Sequence, residues 1–592
     1  MVRATFAGFS TALSALQANQ KRLDIIGHNL ANMNTVGYTR QQLETSSLNY
    51  TTPVSNYMNG SEIIVGFGVH MNKVSQIRDP YLDVQYRSQM QKSGYTDALQ
   101  TSLDSLAKVF DESDIDGIRA AFDDIQATLV NIQDLGKVQD PIYEAELRTK
   151  MQKLANLLNE SDRQITEAEQ LEYQRLTGTN TTENGAIQEV NDILMQIGNL
   201  NRQIKQNQIL GQQSLELMDE RNVLLDELAS YIPIEATYYK DQAHDGVTTD
   251  ANGNIIGEDL SETYHLDSNG VPMFKKEWPD DLRVEMLYYD ANGVQQRLTL
   301  VEGTEGTGTE NYGKLELTPD GNPFDPTNFT LTIHGSAKNL VNGNAASLTL
   351  EKDTMIDGDK NSDQLAGGSI QASLDMLWKS GNTTTDKNNE VRGYEYYRNE
   401  LDKLAQSFAD VMNSINNHNH PAATNGSGQE FFVSKVTGSP ISAATIGINP
   451  DWVSGTVYIN PGNKGSDLNS PVLDMIEAMK STWPYKGTNL LNYGSISATS
   501  PDLKNNSFAD YMNHISTILA NDSYSNTIDL KTNVTVLNGI QNSRDSMSGV
   551  SLNEEASNMM MFQSAYQAAS RLMTALDQVL DVLINSTGTC GR

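Results

Sequence analysis

The densest run of metal-type ligands is Asp357-Gly-Asp359-Lys-Asn361-Ser-Asp363. Oxygen-bearing side chains at alternate positions are what calcium takes up from a single loop. The pattern then fails where a calcium loop is strictest. Its turn position, usually glycine, is Ser362, and its closing position, usually a bidentate glutamate, is Gly368. The run reads as an acidic inter-domain linker, with weak calcium binding as the alternative. His418-Asn-His420 brings two imidazoles close together, but no third ligand stands near them, so they read as a solvated loop. Gly306-Thr-Gly308 lacks the third glycine and the following helix that a phosphate cradle needs. No His-Glu-x-x-His, P-loop or Gly-x-Ser-x-Gly elbow occurs. We therefore expect no catalytic centre, no cofactor and no metal. Tyr394, Tyr396 and Tyr397 gather at a helix start, where they suit either a protein interface or helix-end packing.

Composition narrows the classes further. At 592 residues the chain is too long for one core. Its 75 acidic residues outweigh 42 basic ones, a net charge of −33. Such a chain repels nucleic acid and anionic membranes, so neither is an expected partner. Cys590 is the single cysteine, which excludes an intramolecular disulfide and any cysteine-based metal site. Polar residues interrupt every apolar run near the front, and no run of about 18 apolar residues occurs. If the protein works outside the cell, it is expected to leave without a cleaved signal peptide.

Two apolar seams lie at opposite ends of the chain. Phe6, Phe9, Leu13, Leu16, Leu23 and Leu30 fall three, four and seven residues apart; Leu552, Met559, Tyr566, Met573 and Leu580 keep a strict seven-residue interval. Such spacing draws one stripe along a helix, the kind that seeks another helix. Helices are expected at 4–34, 80–110, 141–177, 184–209, 219–231, 394–418, 470–482, 507–520, 523–546 and 551–585. Residues 44–78 read as extended. From 234 to 363 there are 24 acidic residues against 9 basic ones. Asp-Ala-Asn-Gly at 290–293 and related turns separate strand-like runs at 282–289, 297–301, 315–317 and 329–334.

Three segments carry a family resemblance. Gly27-His28-Asn29-Leu30-Ala31-Asn32-Met33-Asn34-Thr35-Val36-Gly37-Tyr38-Thr39-Arg40-Gln41 resembles the N-terminal signature of bacterial flagellar rod, hook and hook-associated axial proteins. Its Gly-His-Asn start and Gly-Tyr-Thr-Arg-Gln finish are similar to the hook-associated branch. Ser548-Gly-Val-Ser-Leu-Asn-Glu-Glu555 with Phe562-Gln-Ser-Ala-Tyr-Gln-Ala-Ala569 resembles that branch's C-terminal helix, and Met218–Leu228 resembles an internal segment. The motif residues to watch are Gly27, His28, Asn29, Ala31, Asn32, Gly37, Tyr38 and Arg40.

The resemblance implies a structural protein that polymerises as a ring between hook and filament. Implied partners are copies of itself, the hook protein, a second junction protein (hook-associated protein 3) and an export chaperone on the C-terminal helix. It also implies an extracellular place in the flagellum, reached through the flagellar type III apparatus. Pattern and resemblance together predict a mainly α chain with an inserted β domain. The terminal helices would pair as an α-helical coiled coil (1–45 and 548–592). An elongated helical bundle with some β would follow (46–233 and 364–547), with an acidic antiparallel β domain (234–363) outermost. The terminal seams would then be assembly surface. A hook-type subunit, or an extracellular adhesin working through 234–363, are the alternatives.

Overall fold

The computed structural model describes residues 7–587 except 49–67, 111–116, 135, 139, 180–182, 210–211, 241–246, 250–254, 259–263, 267–271, 276–279, 303–311, 321–324, 337–339, 342–343, 353–363, 382–390, 425–427, 463–468 and 494–501. Phe6, Gly306–Gly308 and Asp357–Asp363 thus lie outside the described residues.

Helix α1 (Ala7–Ala31) carries the front seam. It stops at Asn32, and turn hydrogen bonds from Thr35 N–H to Asn32 O and from Tyr38 N–H to Thr35 O reverse the chain. A hairpin follows: strands β1 (Gln41–Ser47) and β2 (Val69–Gln76) pair antiparallel, with a register shift after Glu44. Helix α2 (Pro80–Val109) begins where Asp79 accepts the Tyr81 N–H and Pro80 supplies a preset backbone angle. Asp140 and Pro141 start helix α4 (Pro141–Thr177) in the same way. Between them lies α3 (Ile118–Ile132), which our sequence reading leaves out. Its Ile118, Phe122, Ile125, Leu129 and Ile132 are all buried at helical spacing. Helices α5 (Ala186–Ile209) and α6 (Leu215–Tyr231) complete the first half.

The β elements are antiparallel. Strand β4 (Asp280–Tyr289) pairs with β5 (Gln295–Glu302) through the Asp290–Gly293 turn, and on its other side with β3 (Ile234–Lys240). A second sheet orders β6 (Lys314–Pro319), β7 (Phe329–His334) and β8 (Ser347–Leu350). In β7, Phe329, Leu331 and Ile333 are buried while the residues between them are not, as strand alternation requires. Their core is continuous with the helices: Phe329 packs against Tyr173 of α4 at 5.5 Å and against Trp378 of α7 (Ser369–Trp378) at 4.9 Å. The chain is therefore mainly α with antiparallel sheets between 234 and 350.

Helix α8 (Tyr394–Asn417) buries Leu401, Leu404, Phe408, Val411, Met412 and Ile415. Phe408, Phe122 and Phe508 meet edge-on or stacked, with ring centroids 5.1–6.1 Å apart. Each such side chain contributes roughly 1.5–3 kcal/mol of apolar burial. Helix α9 spans Ser470–Lys480. Our reading splits the following helix at 520–523; the structure has one helix, α10 (Phe508–Ser548). Its polar middle is held by distant partners. Asp522 accepts from Arg392 at 2.6 Å and from Tyr397 at 3.1 Å, and Asn526 donates to Thr96 O at 2.8 Å. Gly549 ends it, and α11 (Leu552–Thr587) returns along α1.

Candidate functional site

Helices α1 and α11 lie side by side, and small residues set their approach. A Cβ on Gly8 would sit 3.3 Å from both terminal methyls of Leu576. Ala12, Ala18, Asn19, Ile25, Ile26 and Asn29 are the buried positions of α1. On α11 they are Glu555 and Ala569, with Phe562 under the Arg22 guanidinium at 5.1 Å. The bulky seam sits partly off this face. Phe9, Leu16, Leu23 and Leu30 are half-buried, and Leu13 is 49% exposed. Met559, Tyr566, Met573 and Leu580 are likewise half-buried, and Leu552 is 56% exposed. The stripe Gly8-Ala12-Asn19-Ile26 is rotated by one residue, about 100°, from the stripe of large side chains. Periodicity weighted by bulk selects the second stripe; close approach selects the first.

At the foot of the pair the N-terminal signature folds into a hydrogen-bonded knot. Asn29 is 1% exposed, and all its polar capacity is engaged. Its Oδ1 accepts from Tyr38 Oη–H at 2.8 Å and from Gln41 N–H at 3.0 Å. Its Nδ2 donates to Gln41 O at 3.0 Å and to Glu555 Oε1 at 3.3 Å. Arg40 pairs with Glu554 at 2.7 Å, and its backbone N–H donates to Ser548 O at 2.8 Å. The first and last signatures thus bind each other across more than 500 residues. Gly37 has φ +78°, and a Cβ there would fall 2.2 Å from Val223 Cγ2. Only glycine suits both the turn and the contact with α6. His28 lies 3.4 Å from Glu216, and its ring is 5.7 Å from that of Tyr38. Asn32 turns back to His28 at both ring nitrogen and carbonyl. Gly27 and Ala31 are exposed, and a Cβ on Gly27 would point into open space.

The internal signature supplies the third side. Asp219 accepts the Thr39 N–H at 3.0 Å and the Thr39 hydroxyl at 2.7 Å. Beyond it an ionic cluster ties together α2, α6 and α10. Arg78 pairs with Asp83, and lies 3.8 Å from Asp219. Arg544, at the end of α10, reaches Asp83 at 3.1 Å and Asp226 at 2.8 Å. Arg87 also holds Asp226 at 2.8 Å and donates to Asn222 at 3.2 Å. Tyr86 lies under the Arg544 guanidinium at 4.3 Å. A cleft of about 570 Å³ opens between the 33–39 turn, the start of α2, α6 and the end of α10. Arg78, Arg87, Asp83 and Arg544 escape a sequence reading because no short spacing links them.

Burial pushes the Asp219 carboxyl up to about 6, against the opposing pull of Thr39 and Arg78. Its ordinary value is 3.8. The folded chain therefore takes up this proton before the unfolded chain does. The contribution to stability is complete below about pH 4 and is lost as pH rises through about 6. The difference is on the order of 2–3 kcal/mol. We expect Asp219→Asn to flatten that part of the pH profile, read as the urea midpoint between pH 4 and pH 7. An unchanged profile would place the titration elsewhere.

The other sequence candidates resolve as packing. The His418 ring meets Tyr493 at 4.8 Å; His420 meets Tyr458 at 4.6 Å and accepts the Ala422 N–H. Tyr394 and Tyr397 are buried, and Tyr396 packs edge-on against Tyr397. Among the described residues no group of three His, Cys, Asp or Glu converges on a metal position, and no helix is long and apolar enough to cross a membrane.

Comparison with known proteins gives matches to three family models. Residues 103–266 match the family described as Flagellar hook-associated protein FlgK helical domain. Residues 9–39 match Flagella basal body rod protein, and 541–586 match Flagellar basal body rod FlgEFG protein C-terminal. Flagellar hook-associated protein 1 of Bacillus subtilis is 26% identical over 99% of this chain and 99% of its own. Its Escherichia coli counterpart is 23% identical over 97% and 99%. The flagellar hook junction protein FlgK of Burkholderia pseudomallei is a solved structure at TM-score 0.36 and 18% identity, covering 59% of this chain and 46% of that one.

Proposed function

This chain is similar to flagellar hook-associated protein 1 from end to end, and from that premise we propose that it is an axial structural protein of the bacterial flagellum, forming the junction between hook and filament. One observation carries the reading. The three segments with family signatures, separated by hundreds of residues, converge on one knot through Asn29, Asp219 and Glu555. In this reading the chain polymerises as a ring on the hook protein, seats hook-associated protein 3, and is needed before filament can grow. It travels through the flagellar type III apparatus with a chaperone on its C-terminal helix. Residues 1–45 and 548–592 form the terminal coiled-coil domain, 46–233 and 364–547 the bundle, and 234–363 the outer acidic insert.

The test is a strain lacking this chain. It should keep its hooks and shed filament subunits into the medium; normal filaments would sink the reading.

The exposed stripe gives a sharper outcome. Leu13, Leu572 and Val579 are 49%, 49% and 60% exposed on the paired helices. In the proposed ring they face neighbouring subunits. Leu572→Asp with Val579→Asp should change monomer stability by no more than about 0.5 kcal/mol per site. The same variant should fail to restore filaments to the deletion strain. Full restoration, with the monomer equally stable, would remove this stripe from the assembly surface.

A further inference from the structure

The cleft at the knot has two properties that call for an occupant. Its mouth is apolar: Val36 is 87% exposed, Met547 48% and Met33 41%. Its lining has five carboxylates and two arginines; Asp83, Asp226 and Glu554 are paired with arginines, and Asp79 and Asp545 are in no ion pair among the described residues. Both arginines, Arg78 and Arg544, are already committed to Asp83 and Asp226. Asp545 stands at the rim, exposed, accepting only a side-chain amide from Gln541 at 2.8 Å; Asp79 caps α2 through one oxygen. An apolar-edged acidic cleft suits a short segment with a cation between hydrophobic side chains.

The chain has such a segment. In a sequence of net charge −33, no acidic residue precedes Asp24, and Val2, Arg3 and Phe6 stand just before α1. Geometry excludes an intramolecular contact. The cleft lies at the Met33 end of α1, and Ala7 begins the other end. A helix of 25 residues separates them by about 36 Å. The five residues from Val2 to Phe6 reach at most about 18 Å when fully extended. The segment can fill a cleft of this kind only on another molecule.

We propose that Val2–Phe6 of a second copy seats in the cleft, with Arg3 between Asp79 and Asp545 and its apolar neighbours against Met33, Val36 and Met547. The contact is head-to-tail, joining two different surfaces of identical chains. It displaces one copy from the next along α1 by about that helix's length. A single exposed ion pair is weak, so the contact operates between copies held at high effective concentration.

The experiment uses full-length chain at high concentration and low salt. Val36 is replaced by photo-crosslinking benzoylphenylalanine, and isotopically heavy and light chains are mixed. Irradiation should give heavy–light adducts between position 36 and residues 1–10. Asp545→Arg, or Arg3→Glu, should lower the adduct yield about fivefold, and combining them should restore it. Asp545 is exposed, so the reversal leaves the fold intact. Adducts to any other segment, adducts within one chain only, or a double variant no better than the singles would overturn the proposal. The measurement is made on purified chain, so its failure leaves the junction reading standing.

Discussion

Asn29→Ala should release the foot of the terminal helix pair. The amide makes four hydrogen bonds in a position that is 1% exposed. Alanine leaves the Gln41 N–H and C=O, the Tyr38 hydroxyl and the Glu555 carboxylate short of a partner. Each buried group left unsatisfied costs about 1–3 kcal/mol, and relaxation and water recover part of it, so the expected loss is about 3–5 kcal/mol. It falls locally, because the hydrogen-bond partners of Asn29 are Tyr38, Gln41 and Glu555. Hydrogen exchange should accelerate at residues 26–41 and 552–560 and stay unchanged at Phe122 and Phe408. Asn29→Asp makes a useful contrast. It keeps the acceptor for Tyr38 and Gln41 but loses both donated bonds and sets a second carboxylate beside Glu555. Burial already pushes the Glu555 carboxyl above its ordinary range. Aspartate should therefore be no better than alanine wherever both carboxyls are ionised. Uniform acceleration across the chain, or none, would contradict this account.

Arg544→Ala should be comparably severe for a different reason. Its guanidinium bridges Asp83 and Asp226 and is only 15% exposed. Removing it leaves two largely buried carboxylates sharing Arg78 and Arg87. Breaking a buried pair from one side costs about 3–5 kcal/mol, since the surviving charge keeps its desolvation penalty. The pair itself adds little beyond a well-packed apolar equivalent. Arg544→Lys separates charge from shape. Lysine restores one positive charge but not the fork that spans two acids, nor the face over Tyr86. Partial recovery of the denaturation midpoint is the expected result. Complete recovery would reduce the site to net charge, and an alanine variant within about 0.5 kcal/mol of the parent would remove the cluster from the stability account.

Much of the fold follows from short-range pattern. The Asp290–Gly293 turn and the alternation of Phe329, Leu331 and Ile333 specify hairpin and strand without help from the rest of the chain. Helix α10 was harder, because Asn521, Asp522 and Ser523 look like a break. Their helical state depends on Arg392, Tyr397 and Gln100, which are remote in sequence. The site divides along the same line. Asn29, Gly37 and Arg40 are legible in a motif, and the structure gives each a physical task. The arginines that complete the knot are not, since Arg78, Arg87 and Arg544 become neighbours only through tertiary packing. The front seam shows a third limit. Two stripes of equal period run along α1, and the one that meets α11 is marked by Gly8, Arg22 and Asn29 rather than by the large apolar residues.

Helix α10 has a mechanical consequence. Its first turn is anchored among Phe122, Phe408 and Trp483, and its last holds the ionic cluster and hands the chain to α11. Forty-one residues in one helix make a strut about 60 Å long. A push or twist applied to the terminal pair enters this strut end-on through Arg544 and Ser548. It meets a continuous ladder of backbone hydrogen bonds whose far end is packed among aromatic rings. The two ends of the chain are thus joined to its interior by one uninterrupted helix.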